Sequence, residues 1–124
     1  MKITGIHHIS LIVSDIERAR AFYGATLQLR GLVRPPFNFA GAWYALGTQQ
    51  LHLIEDKQGS RQNDEIKTRG RHVAFRVEDV DQVIEFLQQR DIPFVKKKFS
   101  TSGFHQIFIN DPDGNTIEFM SEID

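Results

Sequence analysis

The stretch HISLIVSDI at residues 8–16 has a counterpart in HVAFRVEDV at residues 72–80, and this repetition decides the fold. Each copy begins with a histidine, continues through apolar and β-branched residues typical of a strand, and reaches an aspartate suited to cap a helix. The two copies are 72 − 8 = 64 residues apart. We therefore predict two units built on one plan.

The far ends of the two units also match. LHLI at residues 51–54 lies over IEFM at residues 117–120, at an offset of 118 − 52 = 66, and a difference of 66 − 64 = 2 residues in loop length accounts for the change. Each unit reads as a strand, a helix and three further strands. We predict an α+β fold in one domain, with tandem βαβββ units at residues 1–56 and 71–124 and a largely polar connector at residues 57–70.

Local patterns predict the individual elements. The two helices begin after Asp15 and Asp79, because apolar residues then recur at three- and four-residue steps. Gly31 and the pair Pro35-Pro36 interrupt the pattern after the first helix. The predicted strands are 3–13, 42–46, 50–54, 72–77, 94–99, 104–109 and 116–120.

Composition excludes several classes of function. The 15 basic and 16 acidic residues give a net charge of -1, which argues against nucleic-acid binding and leaves no polybasic patch for a membrane. Cysteine is absent, so disulfides, thiolate catalysis and zinc–sulfur sites are excluded. No stretch reads as a signal peptide or as an apolar span of about 20 residues, so we expect a cytoplasmic protein.

The repeat also brings four residues with metal-ligating side chains into correspondence. At the offset of 64 residues, His8 aligns with His72. At the offset of 66 residues, His52 aligns with Glu118. Equivalent strands of equivalent units should present equivalent faces. If those faces converge, three imidazoles and one carboxylate form a site suited to divalent zinc, nickel, iron or manganese. The alternative is a hydrogen-bonded core position for each histidine and a solvent-facing position for Glu118.

Other residues are open to two interpretations. Arg76 is four residues after His72 on the same predicted strand, so the two side chains share a face. Arg76 either binds an anionic group of a substrate there or faces solvent. Trp43, Phe37 and Phe39 either line an apolar pocket or belong to the core. The sequence does not fix the face to which Gln106 belongs.

Three segments of the two units carry a resemblance to a known family: HHISL at residues 7–11, RHVAF at 71–75 and DPDGNTIEF at 111–119. They resemble the vicinal oxygen chelate superfamily, which includes glyoxalase I, fosfomycin-resistance proteins, methylmalonyl-CoA epimerase, extradiol dioxygenases and bleomycin-resistance proteins. The resemblance implies an eight-stranded, cup-shaped mixed sheet around a divalent metal. The implied ligands are His8, His52, His72 and Glu118, and members of this length commonly pair as homodimers.

The residue at position 52 differs among the branches of this superfamily. Glyoxalase I carries Glu there, the epimerase carries Gln, and the dioxygenases and fosfomycin-resistance proteins use only the other three ligands; this chain has His52. The resemblance implies a glyoxalase-I-like lyase or isomerase that acts on a small α-hydroxycarbonyl or thiohemiacetal through an enediolate, with Glu118 as the catalytic proton carrier. Two alternatives stay open: a metal-free antibiotic-binding resistance protein, and an Fe(II) extradiol dioxygenase with His8, His72 and Glu118 as its triad.

Overall fold

Each unit of the chain forms one four-stranded mixed sheet, and the two sheets have the same topology. The computed structural model describes residues 1–59 and 65–123, so residues 60–64 of the predicted connector lie outside the described part. The chain divides into Met1–Arg61 (unit one) and Gln62–Asp124 (unit two), with the boundary inside that connector. The prediction of an α+β fold made of two βαβββ units is confirmed.

Unit one follows the predicted order of elements. They are β1 (His8–Val13), α1 (Ile16–Arg20), β2 (Gly31–Leu32), β3 (Gly41–Leu46) and β4 (Gln49–Glu55). A π-helical segment, Ala21–Thr26, continues α1. The strand order in the sheet is β1-β4-β3-β2, in which β1 and β4 pair in parallel and the other neighbours are antiparallel.

Unit two repeats this arrangement. Its elements are β5 (His72–Arg76), α2 (Val80–Gln89), β6 (Val95–Lys97), β7 (Phe104–Asn110) and β8 (Thr116–Glu122). The strand order is β5-β8-β7-β6, with β5 and β8 parallel and the other neighbours antiparallel. The first and last strands of each unit are therefore direct neighbours.

Both helices begin where the sequence predicts. The Asp15 side chain accepts hydrogen bonds from the backbone N–H groups of Glu17 and Arg18, and the Asp79 side chain accepts one from Asp81. These contacts satisfy N–H groups that the first turn of a helix cannot pair internally.

The largest departures from the predicted strands are at β1, β2 and β6. β1 begins at His8 and not at residue 3, because His8 lies opposite Gln50, next to the first residue of its partner strand β4. The repeat predicts three strands after the first helix, but the first of them, β2, was not located, since its two residues include Gly31, which reads as a break. β6 covers only Val95–Lys97, and Phe99 just beyond it has a φ of 56°, outside the β region.

The two faces of each sheet have different roles. In unit one, Leu51 and Leu53 are fully buried on one face of β4. Tyr44 lies opposite Leu51, and its hydroxyl is close to Gly24 of the helical segment, so this face packs against the helix. Because side chains alternate along a strand, His52 lies on the other face.

The turn before β8 is held by one buried side chain. Asp111 Oδ1 accepts hydrogen bonds from the backbone N–H groups of Asp113 and Asn115, at 2.9 and 2.8 Å, and its Oδ2 accepts one from Asn115 Nδ2. This turn fixes where β8 begins, and therefore where Glu118 lies. In the described residues, neither helix has the length and apolar character needed to cross a membrane.

The close approach at Gly41 gives a test of the unit-one sheet. Gly41→Ala is expected to lower the free energy of unfolding by about 1–3 kcal/mol, because the added methyl group would overlap the Leu53 carbonyl oxygen and crowd the Arg34 guanidinium. Gly31→Ala is the matched control, since nothing lies within 4 Å of its added carbon. Urea denaturation of both variants measures the difference, and equal costs would contradict the steric argument.

Candidate functional site

The two predicted ligands of unit one lie on adjacent parallel strands. His8 lies opposite Gln50, and His52 lies opposite Ser10, so the two histidines are diagonal neighbours across the β1–β4 pair. Both belong to the face of the sheet away from the helix.

Unit two has the same register. His72 lies opposite Thr116, and Glu118 lies opposite Ala74, across the β5–β8 pair. The residue opposite His52 is Ser10, two residues after His8. The residue opposite Glu118 is Ala74, two residues after His72, so the two units have the same spacing. The correspondence inferred from the sequence repeat holds at the level of strand register.

The rings of unit one form a stack. The imidazoles of His8 and His52 are stacked with centroids 4.1 Å apart, and the Trp43 indole lies on His52, also at 4.1 Å, with the planes only 3° apart. His52 is 7% exposed. Its ring is thus held flat between the other two rings.

Hydrogen bonds orient both imidazoles. His52 Nε2 donates to the side-chain oxygen of Gln50 at 2.8 Å, which leaves Nδ1 of a neutral His52 with a lone pair. The Nδ1 atoms of His7 and His8 are also 2.8 Å apart, so one of these rings donates and the other accepts. The contact of His7 with His8 was not predicted from the sequence and is a finding of the structure.

Burial and positive neighbours lower the pKa of His52 and so favour its neutral form. Desolvation lowers the pKa of His52 below its ordinary value, and the charges of His8, His7 and Arg34 lower it further. Only the neutral ring has a lone pair to offer a metal.

The pair in unit two is joined directly. His72 Nε2 lies 3.0 Å from Glu118 Oε1, and Glu118 is 4% exposed. His72 Nδ1 donates to the backbone carbonyl of Gly70 at 2.9 Å. Gln106 Nε2 donates to the second oxygen of Glu118, Oε2, at 3.3 Å. Each of the four predicted ligands therefore has a hydrogen-bond partner besides its fellow ligand.

Sequence reasoning missed Gln50 and Phe108 in this environment and left the face of Gln106 open. Gln50 could have been found, because it is two residues before His52 and shares its face. The positions of Gln106 and Phe108 beside Glu118 follow from the pairing of β7 with β8, and no local sequence pattern reveals that pairing. Phe108 lies opposite Glu118, and its ring contacts His72 edge to face at 5.6 Å.

The four predicted ligands occur as two pairs, one in each unit. Over the described ranges 1–59 and 65–123, no three or more His, Asp or Glu side chains are clustered closely enough to hold a metal ion. His8 stands with His52, and His72 stands with Glu118. Nothing in this arrangement tests the four-ligand prediction, which stays a prediction.

Arg76 has an ionic partner. Its guanidinium forms a salt bridge with Glu122, and both side chains are exposed. Its predicted contact with a substrate anion is a matter for experiment.

The remaining aromatic candidates lie in the segment before β3. The rings of Phe37 and Phe39 stack at 5.1 Å, and the Arg34 guanidinium lies over both. Phe37 is 6.2 Å from Trp43. With 46% and 41% exposure, these two phenyl groups are not part of the core.

Comparison with known proteins identifies the family. The model of the Glyoxalase/Bleomycin resistance protein/Dioxygenase superfamily matches residues 5–119. Glyoxylase I 4 of Arabidopsis thaliana is 25% identical, covering 98% of this chain and 72% of that protein. Metallothiol transferase FosB of Staphylococcus epidermidis is 31% identical, covering 94% and 82%.

Solved structures agree with these sequence matches. The crystal structure of a glyoxalase family protein from Enterococcus faecalis matches with a TM-score of 0.76 and 28% identity, covering 98% of this chain and 100% of that one. Both relatives named above carry the names of enzymes. The chain belongs to the glyoxalase/bleomycin resistance protein/dioxygenase superfamily, and the resemblance drawn from its repeated segments is confirmed.

Proposed function

We propose that the chain is a glyoxalase-I-like, metal-dependent lyase or isomerase that acts on a small α-hydroxycarbonyl compound or thiohemiacetal. His8, His52, His72 and Glu118 would hold one divalent metal. The proposal requires the two pairs to bind the same ion, within one chain or across a homodimer. We also propose that the enzyme is cytoplasmic.

The observation that carries the proposal is the contact between His72 and Glu118. Because His72 Nδ1 donates to Gly70, Nε2 of the neutral ring has a lone pair, and that lone pair faces a carboxylate oxygen at 3.0 Å. Two such atoms repel each other unless a proton or a cation is shared between them. The 3.0 Å separation is short enough for both atoms to bind one metal ion.

The donor set also fits a metal chemically. Three imidazole nitrogens and one carboxylate oxygen suit borderline divalent ions such as zinc, nickel, iron and manganese. A metal would also offset the cost of burying the Glu118 charge. The partners that hold the other polar atom of each ligand are the kind that orient metal ligands in proteins.

The residues of the chain then have separate roles. When bound, the metal supplies Lewis acidity to the oxygens of a substrate. Glu118 is the only carboxylate of the set, so it is assigned to take a proton from one carbon of the substrate and return it to the next. The neutral rings of His8, His52 and His72 serve as ligands, and Arg76 would bind an anionic group of the substrate after leaving Glu122.

A second candidate function is the transfer of a thiol to an electrophilic substrate. It would need only His8, His72 and Glu118 as metal ligands, with His52 held by Gln50 beside them. A three-ligand site leaves more positions open for a substrate. The similarity to a metallothiol transferase supports this alternative.

The tautomers of the histidines test the lone-pair argument. In metal-free protein, His72 should keep a proton on Nδ1, donated to Gly70, and His52 should keep one on Nε2, donated to Gln50. Long-range proton–nitrogen NMR correlations distinguish the two tautomers. A single Nε2-protonated tautomer for both rings would contradict the assignment of His72 as a ready ligand.

Metal affinity tests the ligand set. Wild-type protein should bind one zinc, nickel or manganese ion in calorimetry, and His72→Ala and Glu118→Gln should each weaken binding by more than the roughly 10- to 100-fold typical of changes outside the ligand shell. Glu85→Gln, an exposed change on α2, is the control. His52→Ala should weaken binding as much as His8→Ala if both are ligands. Failure of the wild type to bind any of these ions would favour the metal-free binding protein.

A substrate panel tests the reaction. Adducts of thiols with α-ketoaldehydes should be isomerised, and Glu118→Gln should lower kcat by about 100- to 10,000-fold, the usual contribution of a general base. Turnover of the adducts at the wild-type rate by Glu118→Gln would refute the proton-carrier role. Acceleration of thiol addition to fosfomycin, without isomerisation, would establish the second candidate instead.

A further inference from the structure

We propose that Gln106 is a positioning residue for Glu118, and that Ser102 anchors Gln106 from the β6–β7 loop, residues 98–103. The inference rests on the proposed function, in which Glu118 is both ligand and proton carrier. It adds a series of hydrogen bonds that runs from Glu118 through Gln106 to Ser102 at the surface of unit two.

The Gln106 amide is oriented by what surrounds it. Its nitrogen lies 3.3 Å from Glu118 Oε2, and its oxygen lies 3.4 Å from the Ser102 hydroxyl. A carboxylate can only accept, so the amide nitrogen must face Glu118 and the amide oxygen must face the hydroxyl, which donates. The amide therefore has one satisfactory orientation.

The two oxygens of Glu118 have different partners. Oε1 is next to His72 Nε2, and Oε2 accepts from Gln106. The terminal torsion of a carboxylate is otherwise soft. Contacts at both oxygens fix the plane of the group, so that the same oxygen always faces His72.

The loop that carries Ser102 is closed by hydrogen bonds of its own. The backbone N–H of Ser100 donates to the Phe104 carbonyl at 3.2 Å, and that of Gly103 donates to the Ser100 carbonyl at 3.1 Å. The N–H of Phe99 donates to His105 Nδ1 at 3.1 Å. Phe99 has a φ of 56°, which is unfavourable for a bulky residue and shows that these contacts impose the conformation of the loop.

The comparison of the two units supports a functional role. Gln106 lies opposite Met120, two residues beyond Glu118, and the corresponding residue of unit one is Gly41, opposite Ile54. Gly41 has no side chain to offer. An amide at this register position is thus present only in unit two, beside the carboxylate of Glu118, and the shared fold does not require it.

The experiment replaces the amide by an apolar group of similar size. Gln106→Met should raise the Kd for zinc by about 10- to 100-fold, the effect expected of a residue that orients a ligand. Ser102→Ala should have a smaller effect in the same direction, since its contact is the longer and less direct one. Gln88→Met, at an exposed position of α2, is the matched control and should leave the Kd unchanged.

A second measurement needs no metal. In metal-free protein, the side-chain NH₂ signals of Gln106 should shift when Glu118→Ala removes their acceptor, and the signals of Gln88 should not. An unchanged Gln106 signal, or a Gln106→Met protein that melts at a lower temperature but binds zinc like the wild type, would overturn the inference. If the wild type binds no metal, the proposed function fails, and the amide signal alone then decides whether Gln106 holds Glu118.

Discussion

The parallel pairing of the first and last strands of each unit is the constraint on which the site depends. It sets His8 beside His52 in one sheet and His72 beside Glu118 in the other, with the same register. A slip of one residue in either pair would turn a ligand toward the helix-covered face. The connections between these strands can vary in length without disturbing that relation, and they do so by two residues between the units.

The burial of the Glu118 carboxylate explains the contacts that surround it in unit two. Glu118 is almost fully buried, and an ionised carboxyl group in such a position is costly unless it is paired. Its two oxygens have separate partners in His72 and Gln106, while the Asp111 turn fixes the start of its strand. In unit one an imidazole, His52, occupies the equivalent position, and two stacked rings and a hydrogen bond to Gln50 hold it there.

Local chemistry made much of the fold predictable from sequence. Helix caps such as Asp15 depend on neighbours a few residues away, and the repeat carried the assignment of one unit over to the other. Two-residue β2 escaped prediction because pairing with β3, not its own composition, makes it a strand. Gln106 and Phe108 escaped for the same reason: their faces follow from the pairing of β7 with β8.

The difference between the two pairs bears on the chemistry of the proposed site. Unit one contributes two neutral rings, and unit two contributes one neutral ring and one negative charge. A divalent ion on this set would retain one positive charge, whereas a carboxylate in place of His52 would cancel it. A site with residual positive charge binds anionic oxygen groups more strongly and weakens the basicity of the nearby carboxylate. In the proposed site, the identity of residue 52 would therefore set the net charge that both the substrate and Glu118 meet.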